Sequence, residues 1–272
     1  MRSALQGKTA IITGASSGIG KATALLMARE KMNLVLAARR AGELNEVRRE
    51  TEARGSRVLA CPADVTDAEQ VQALVEKAVS LFGRVDIVVC SAGQLLRRPA
   101  VDLTIGDFRH IMEVNFYGSL NLIYAALPGM LERRSGHIIV VSSVDGKKGL
   151  PPDTAYVASK CAVNGFMDVL RQELRGTGVH ACTILPGRVD TPMVKGIRFP
   201  LGSRGIPGDR VARSIVRAIR KRRTEVVVPY IGPKTLIVAN SFSPRLGDWL
   251  VRLFKLEGVE EGSDMSHNDI GV

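Results

Sequence analysis

Residues 13–20 read TGASSGIG, three glycines and three small hydroxyl residues between the apolar run KTAIIT (8–13) and the alanine-rich run KATALLMAREK (21–31). The first run is short and β-branched, as a buried strand is. The second places apolar residues at helical spacing. Gly14, Gly18 and Gly20 then fall in a strand-to-helix turn, where glycine permits a tight bend and lets a ligand approach the main chain without meeting a Cβ. The first helical turn offers unpaired N–H groups and the positive end of the helix dipole, a seat suited to pyrophosphate. Ser16, Ser17 and Ile19 complete that seat. A glycine cluster alone also fits a plain tight turn, so the reading depends on its surroundings.

Outward from this turn, strand-like and helix-like segments alternate. Strands are expected at 9–13, 33–38, 57–61, 87–90, 137–142, 180–185 and 225–228, and helices at 18–31, 42–53, 67–81, 106–131, 155–175 and 209–222. TDAE (66–69) has the form of a capping box for the third helix. Apolar strands separated by helices predict an α/β fold: a single doubly wound Rossmann domain with a parallel sheet of about seven strands and helices on both faces. The alternation stops near Pro229. The catalytic domain is therefore expected over residues 1–230, followed by a short, partly helical C-terminal extension, 231–272, with a disordered end. Between them PMVKGIRFPLGSRGIP (192–207) is rich in Gly and Pro, which suits a mobile lid near 192–208.

Composition bounds the function. No run approaches the roughly 18 apolar residues of a membrane-spanning helix, and MRSALQGKTA lacks a signal-peptide core, so a cytoplasmic location is expected. The four cysteines and four histidines are scattered, and no metal site is expected. The formal charge is +11, yet the basic pairs are dispersed and aromatics make up only 4% of the chain. No nucleic-acid partner is expected, because no stacking platform accompanies the charge. In the tail, Leu246, Trp249, Leu250, Leu253 and Phe254 form an apolar helical face beside Arg245, Arg252 and Lys255. Packing on the domain or on a neighbouring subunit is the preferred reading, and peripheral membrane contact the alternative.

Two further stretches carry chemistry. The second strand ends in Arg39-Arg40, where NAD binders of this architecture carry an acidic residue for the ribose 2′-hydroxyl. A guanidinium there suits a 2′-phosphate, so NADP(H) is expected to be preferred over NAD(H). In SSVDGKKGLPPDTAYVASK (142–160), Tyr156 and Lys160 are four apart and share a helical face, thirteen residues beyond Ser143. A phenol needs a shift of roughly three pKa units to be half ionised at pH 7, and a lysine ammonium one turn away is a source for it.

Over residues 7–230 the chain resembles the short-chain dehydrogenase/reductase family, with several motifs in the family's order. Gly14, Gly18, Ile19 and Gly20 match its cofactor turn, Asp64-Val65 its adenine contact, and Ser91-Ala92-Gly93 its motif after the fourth strand. Asn115, Ser143, Tyr156 and Lys160 match its catalytic tetrad. Pro186, Gly187, Val189 and Thr191 match the segment that holds the nicotinamide. The resemblance implies hydride transfer between a nicotinamide cofactor and a carbonyl or secondary alcohol. Tyr156 would be the proton donor, Ser143 the hydrogen-bond partner of the substrate oxygen, Lys160 the ribose ligand, and Asn115 the anchor of a proton-relay water. It also implies a homodimer or homotetramer. An epimerase or dehydratase using the same Tyr–Lys pair, or a silent cofactor-binding scaffold, are the alternatives.

Around the nicotinamide, the expected substrate contacts are Leu95, Ser143, Asp145, Leu150 and Tyr156. Their apolar members suggest a lipophilic substrate of steroid, retinoid, prenyl or acyl type. Asp145 stands where the family usually has a small residue. Pairing with Lys147 or Lys148 in a surface turn and polar contact with substrate are its two readings.

Overall fold

In the computed structural model, which describes residues 5–198 and 205–260, the run ahead of the glycine turn forms strand β1 (Thr9–Thr13) and the run after it helix α1 (Gly18–Arg29). The chain continues through β2 (Asn33–Ala38), α2 (Ala41–Glu52), β3 (Val58–Pro62), α3 (Ala68–Phe82), β4 (Ile87–Cys90), α4 (Ile105–Met112), α5 (Gly118–Glu132), β5 (Gly136–Val141), α6 (Thr154–Glu173) and β6 (Val179–Pro186). Short strands β7 (Val189–Asp190), β8 (Ile197–Arg198) and β9 (Ile206–Pro207) precede α7 (Gly208–Lys221) and β10 (Glu225–Val228). Helices α8 (Ile231–Phe242) and α9 (Pro244–Leu253) and strand β11 (Val259–Glu260) follow.

Seven parallel strands pair in the order β10-β6-β5-β4-β1-β2-β3. Every residue of β1 is buried, as a central strand covered on both faces requires. Alternation along it feeds two cores: Ala10 and Ile12 pack with Met27, Leu34 and Ile215 on one face, and Ile11 packs with Val35, Leu74 and Leu122 on the other. The chain reverses its direction of travel across the sheet between β1 and β4, opening a crevice at their carboxyl ends. The glycine turn lies there.

Two local readings are corrected. The capping box at 66–69 does not form: Asp67 is the N-cap of α3 and accepts from the Gln70 N–H at 3.0 Å, while the Thr66 hydroxyl donates to Asp64 at 2.9 Å. A reciprocal box exists instead at Thr104 and Asp107, which opens α4. The helix expected over 106–131 is interrupted by a π-helical turn, Glu113–Tyr117, that carries Asn115. Such turns often mark functional sites.

The described ends of the Gly/Pro-rich segment are fixed by pairing, β7 with β9 and β8 with β11; residues 199–204 of the expected lid lie outside the described residues, as do residues 261–272 of the tail. Of the apolar face expected in the tail, Leu250 is half-buried against the domain, whereas Leu246, Trp249, Leu253 and Phe254 are exposed among the described residues. Among the described residues, no helix is long and apolar enough to cross a membrane.

Candidate active site

The turn after β1 is built against the loop after β4. Thr13 Oγ1 accepts from the N–H groups of Ser91 (3.2 Å) and Ala92 (3.4 Å), joining the two strand ends. Gly14 has φ +65°, and a Cβ on it would lie 2.8 Å from Ser91 O and Ala92 N. Gly18 has φ +54° and faces Thr191, whose Cγ2 would be 3.1 Å from an added Cβ. Ser17 is the N-cap of α1, but its side chain makes no capping hydrogen bond. The first-turn N–H groups therefore remain available to an external acceptor. A glycine cradle ending in an uncapped helix start fits a dinucleotide pyrophosphate.

At the other end of the crevice, Tyr156 and Lys160 come from the first turns of α6, and Ser143 from the end of β5. All three are buried. Lys160 Nζ donates to Val141 O at 3.0 Å and lies 5.5 Å from the Tyr156 ring centroid. Ser143 Oγ accepts from the Asp145 N–H at 3.1 Å, capping a short 3₁₀ turn. Asn115 Nδ2 donates to Gln94 O and Ser159 Oγ, each at 2.9 Å, and its Oδ1 accepts from Gln94 N at 2.7 Å. Its amide thus ties the π turn to the loop after β4 and to α6.

One cavity of about 880 Å³ joins these groups. Its wall includes Gly14, Ser16, Ser17, Gly18, Ile19, Arg39, Arg40, Asp64, Val65, Ser91, Ala92 and Gly93 along the cofactor arm. Ser143, Tyr156, Lys160, Pro186, Gly187, Val189 and Thr191 line its centre, and Leu95, Asp145 and Leu150 the far side. Gly20 and Asn115 are not on the wall. Gly20 acts from behind it, since a Cβ there would stand 2.3 Å from Gly14 O.

The electrostatics differ from expectation. Burial, and then the charge of Asp145, push the Tyr156 phenol well above its ordinary value, with the Ser143 hydrogen bond opposing. Lys160 is pulled down to about 8 by the same burial, against the charge of Asp145. In the bare chain burial and a nearby carboxylate therefore outweigh the lysine that was expected to lower the phenol.

Asp145 is not a surface turn residue. Lys147 pairs with Glu225 at 3.1 Å and Lys148 with Asp248 at 2.5 Å, leaving Asp145 to face the cavity. Burial raises its carboxyl to about 6, opposed by Ser143 and by the charges of Arg188 and Arg97. Those arginines were not singled out from the sequence. Arg97 pairs with Asp153 at 3.4 Å, both almost wholly buried, and donates to Glu257 O at 2.8 Å. Arg188, pulled down to about 10 by burial, donates to Leu256 O. The chamber beside Tyr156 is thus not uniformly apolar. Among the described residues no cluster is suited to a metal ion.

The family model for short chain dehydrogenases matches residues 8–200, and the chain belongs to that family. It is accordingly an oxidoreductase that works by NAD(P)-dependent hydride transfer on a small molecule. It is 38% identical over 226 residues to an uncharacterised oxidoreductase of Listeria monocytogenes, covering 79% of this chain and 91% of that one. To the ketoacyl reductase HetN of Nostoc it is 32% identical over 266 residues, 92% of this chain and 90% of that one. A match to the glycine betaine reductase of Emericella nidulans (36% over 226 residues) covers 80% of this chain but 18% of that longer protein.

Among solved structures, a Burkholderia phymatum family member in complex with NAD superposes with a TM-score of 0.81 at 27% identity, over 89% of this chain and 95% of that one. A Mycobacterium paratuberculosis dehydrogenase bound to NAD gives 0.75 at 26% identity, over 83% and 97%. A 7α-hydroxysteroid dehydrogenase with NADH and 7-oxoglycochenodeoxycholic acid gives 0.77 at 27% identity, over 82% and 93%.

These neighbours hold NAD or NADH, which overturns the expected preference for NADP(H). The geometry supplies a reason. Arg40 is already engaged by Glu43 at 2.9 Å and by the hydroxyls of Ser16 and Ser17 at 3.2 and 3.0 Å. Arg39 lies 3.9 Å from the Asp64 carboxylate. Two arginines whose charges are answered by carboxylates do not form a vacant phosphate site.

Proposed function

We propose that the protein interconverts a ketone and a secondary alcohol with NAD(H), on a substrate with a lipophilic body. The carrying observation is the far wall of the cavity, where Leu95, Leu150, Met193, Ile197, Leu236 and Leu250 converge from separate segments. The 7-oxo bile acid bound by one neighbour and the ketoacyl reductase relative support this class. When bound, the nicotinamide supplies or accepts the hydride.

The chain's own residues position and move the proton. Tyr156 Oη gives a proton to the forming alkoxide and takes it back in oxidation, and the high pKa of its buried phenol keeps it protonated as the acid. Ser143 donates to the same substrate oxygen. Lys160, held by Val141 O, would hold the ribose of the cofactor. Asn115 positions the loop after β4 and the start of α6 rather than touching substrate. Asp145 supplies a polar contact beside the reacting carbon. The apolar outer surface of α5 and α6, including Tyr124 and Val169, supports a homo-oligomer assembled through those helices.

The test is kcat/KM with NADH across ketones of matched reactivity and growing apolar size. Each buried methylene is expected to gain ~0.8 kcal/mol, roughly fourfold, until the chamber is full. A flat series, or faster turnover of polyhydroxylated ketones, refutes the lipophilic class. Deuteride transfer from labelled NADH separates a reductase from an epimerase or a silent scaffold.

A further inference from the structure

The stretch from Tyr230 to Phe254 holds eight of the seventeen large apolar side chains that stand exposed among the described residues. Phe242 is 85% exposed and Ile231 80%, values at which nothing among the described residues covers them. On α9, Leu246, Trp249 and Leu253 are spaced i, i+3, i+7 and form one stripe. Arg245 and Arg252, each one position earlier, run along its edge, and Lys255 follows the helix; all three are exposed. From residue 230 to 256 the only acidic residue is Asp248, and Lys148 already neutralises it. The other side of the same helix pair, through Leu236, Ile237 and Leu250, walls the substrate chamber.

We propose that α8 and α9 form a docking surface for an anionic lipid bilayer, which brings the mouth of the chamber to the interface where lipophilic molecules reside. The proposal goes beyond the lipophilic-substrate reading and rests on it only for its purpose. Apolar side chains edged by cations are the pattern that lies in a bilayer interface with the apolar face immersed. Charge selects the occupant. A twofold pairing of this surface would set the patch against its own copy, cation against cation, whereas anionic headgroups complement it. Each basic residue near such a surface contributes roughly fivefold in partition.

Trp249 is the chain's only tryptophan and sits in the stripe, so it reports directly. The experiment titrates the full chain with phosphatidylcholine vesicles, with and without phosphatidylglycerol. Expected are a blue shift of Trp249 emission and quenching by brominated acyl chains on the anionic vesicles, both weakened by salt. Leu253→Glu is expected to weaken partition roughly tenfold or more, as is Arg245→Glu combined with Arg252→Glu. Turnover of a water-soluble ketone with NADH should stay unchanged in both variants, which shows that they fold. No shift on anionic vesicles overturns the proposal, as does equal binding to neutral ones. So does a vesicle-free doubling of mass that Leu253→Glu abolishes, since the surface then pairs copies of this chain. Binding is read without substrate, so a failed ketone series and a failed vesicle titration are distinguishable.

Discussion

Gly20→Ala pits two effects against each other in the turn that decides the fold. Gly20 lies in the first turn of α1, where alanine is intrinsically favoured by up to about 1 kcal/mol. Against that, the new Cβ would stand 2.3 Å from Gly14 O and 2.8 Å from Gly14 C. These are main-chain atoms, and they have little room to retreat, because even a Cβ on Gly14 would stand only 2.8 Å from the Ser91–Ala92 main chain. Overpacking of this kind costs about 1–3 kcal/mol where neighbours can adjust. With a backbone on both sides the upper end applies, so the clash wins by about 2 kcal/mol. That loss should appear in urea unfolding. Relief requires the turn to open, so NADH affinity followed by fluorescence should fall by an order of magnitude or more. Gly42→Ala is the control: it lies in the first turn of α2 with nothing within 4 Å of an added Cβ, so it should be neutral or stabilising by up to about 1 kcal/mol. A Gly20→Ala protein as stable as the parent, with NADH affinity within twofold, would show that the turn does not need a bare backbone there.

Tyr156→Phe should lower kcat by at least about a hundredfold while NADH affinity stays within a few-fold, because only the proton donor is removed; appreciable turnover would assign the acid elsewhere. The parent should bind NADH more tightly than NADPH. Glu43→Gln, which frees Arg40 from its 2.9 Å partner, should narrow that gap by about tenfold or less, as expected for an exposed pair; a parent that favours NADPH would contradict this account of the arginines. Burial and the facing His180, whose ring centroid is 5.4 Å away, hold His137 down at about 4 against an ordinary 6.5. The unfolded chain therefore binds more protons between those values, and stability falls as pH drops through that window. His137→Asn should move the acid-unfolding midpoint to lower pH, and an unmoved midpoint would exclude His137 as a contributor.

The framework was legible because it rests on local periodicity. Continuous apolar runs gave β1, β2, β4 and β10 with their observed limits, since none of them carries an internal polar interruption. What failed depended on partners distant in sequence or on their unseen geometry. The break in the expected 106–131 helix carries no proline. It follows from packing: a Cβ on Gly118 would meet Val65 Cγ2 at 2.6 Å, and Asn115 reaches across to Gln94 and Ser159. Asp145 read as a candidate surface residue because two lysines follow it, yet each lysine is taken by a carboxylate far along the chain, Glu225 or Asp248. The Arg39-Arg40 pair misled for a related reason. A guanidinium signals a phosphate only when no carboxylate reaches it first, and Glu43, three residues ahead of Arg40 at helical spacing, was the available warning.

The same contrast shows where chemistry and specificity reside in this chain. The family match ends at residue 200, and Ser143, Tyr156, Lys160 and Thr191 all lie within it. Much of the chamber's apolar wall does not: Leu236, Ile237, Leu250, Phe254 and Leu256 come from the helices and turn beyond β10. That later segment is fastened to the earlier one at the site itself. Arg97 donates to Glu257 O and Gly258 O, Arg188 donates to Leu256 O, and β11 pairs with β8. Both arginines are kept partly or wholly from water and donate to main-chain carbonyls of the tail, so displacing the tail would cost those buried hydrogen bonds. The fastening gives these charged groups a structural part beside the cavity's apolar wall. They tie the tail to the loop after β4 and the segment after β6, while the tail adds apolar surface to the cavity. Hydride transfer is the property of the shared scaffold, while residues 229–258 add much of the cavity's apolar wall beyond the family match.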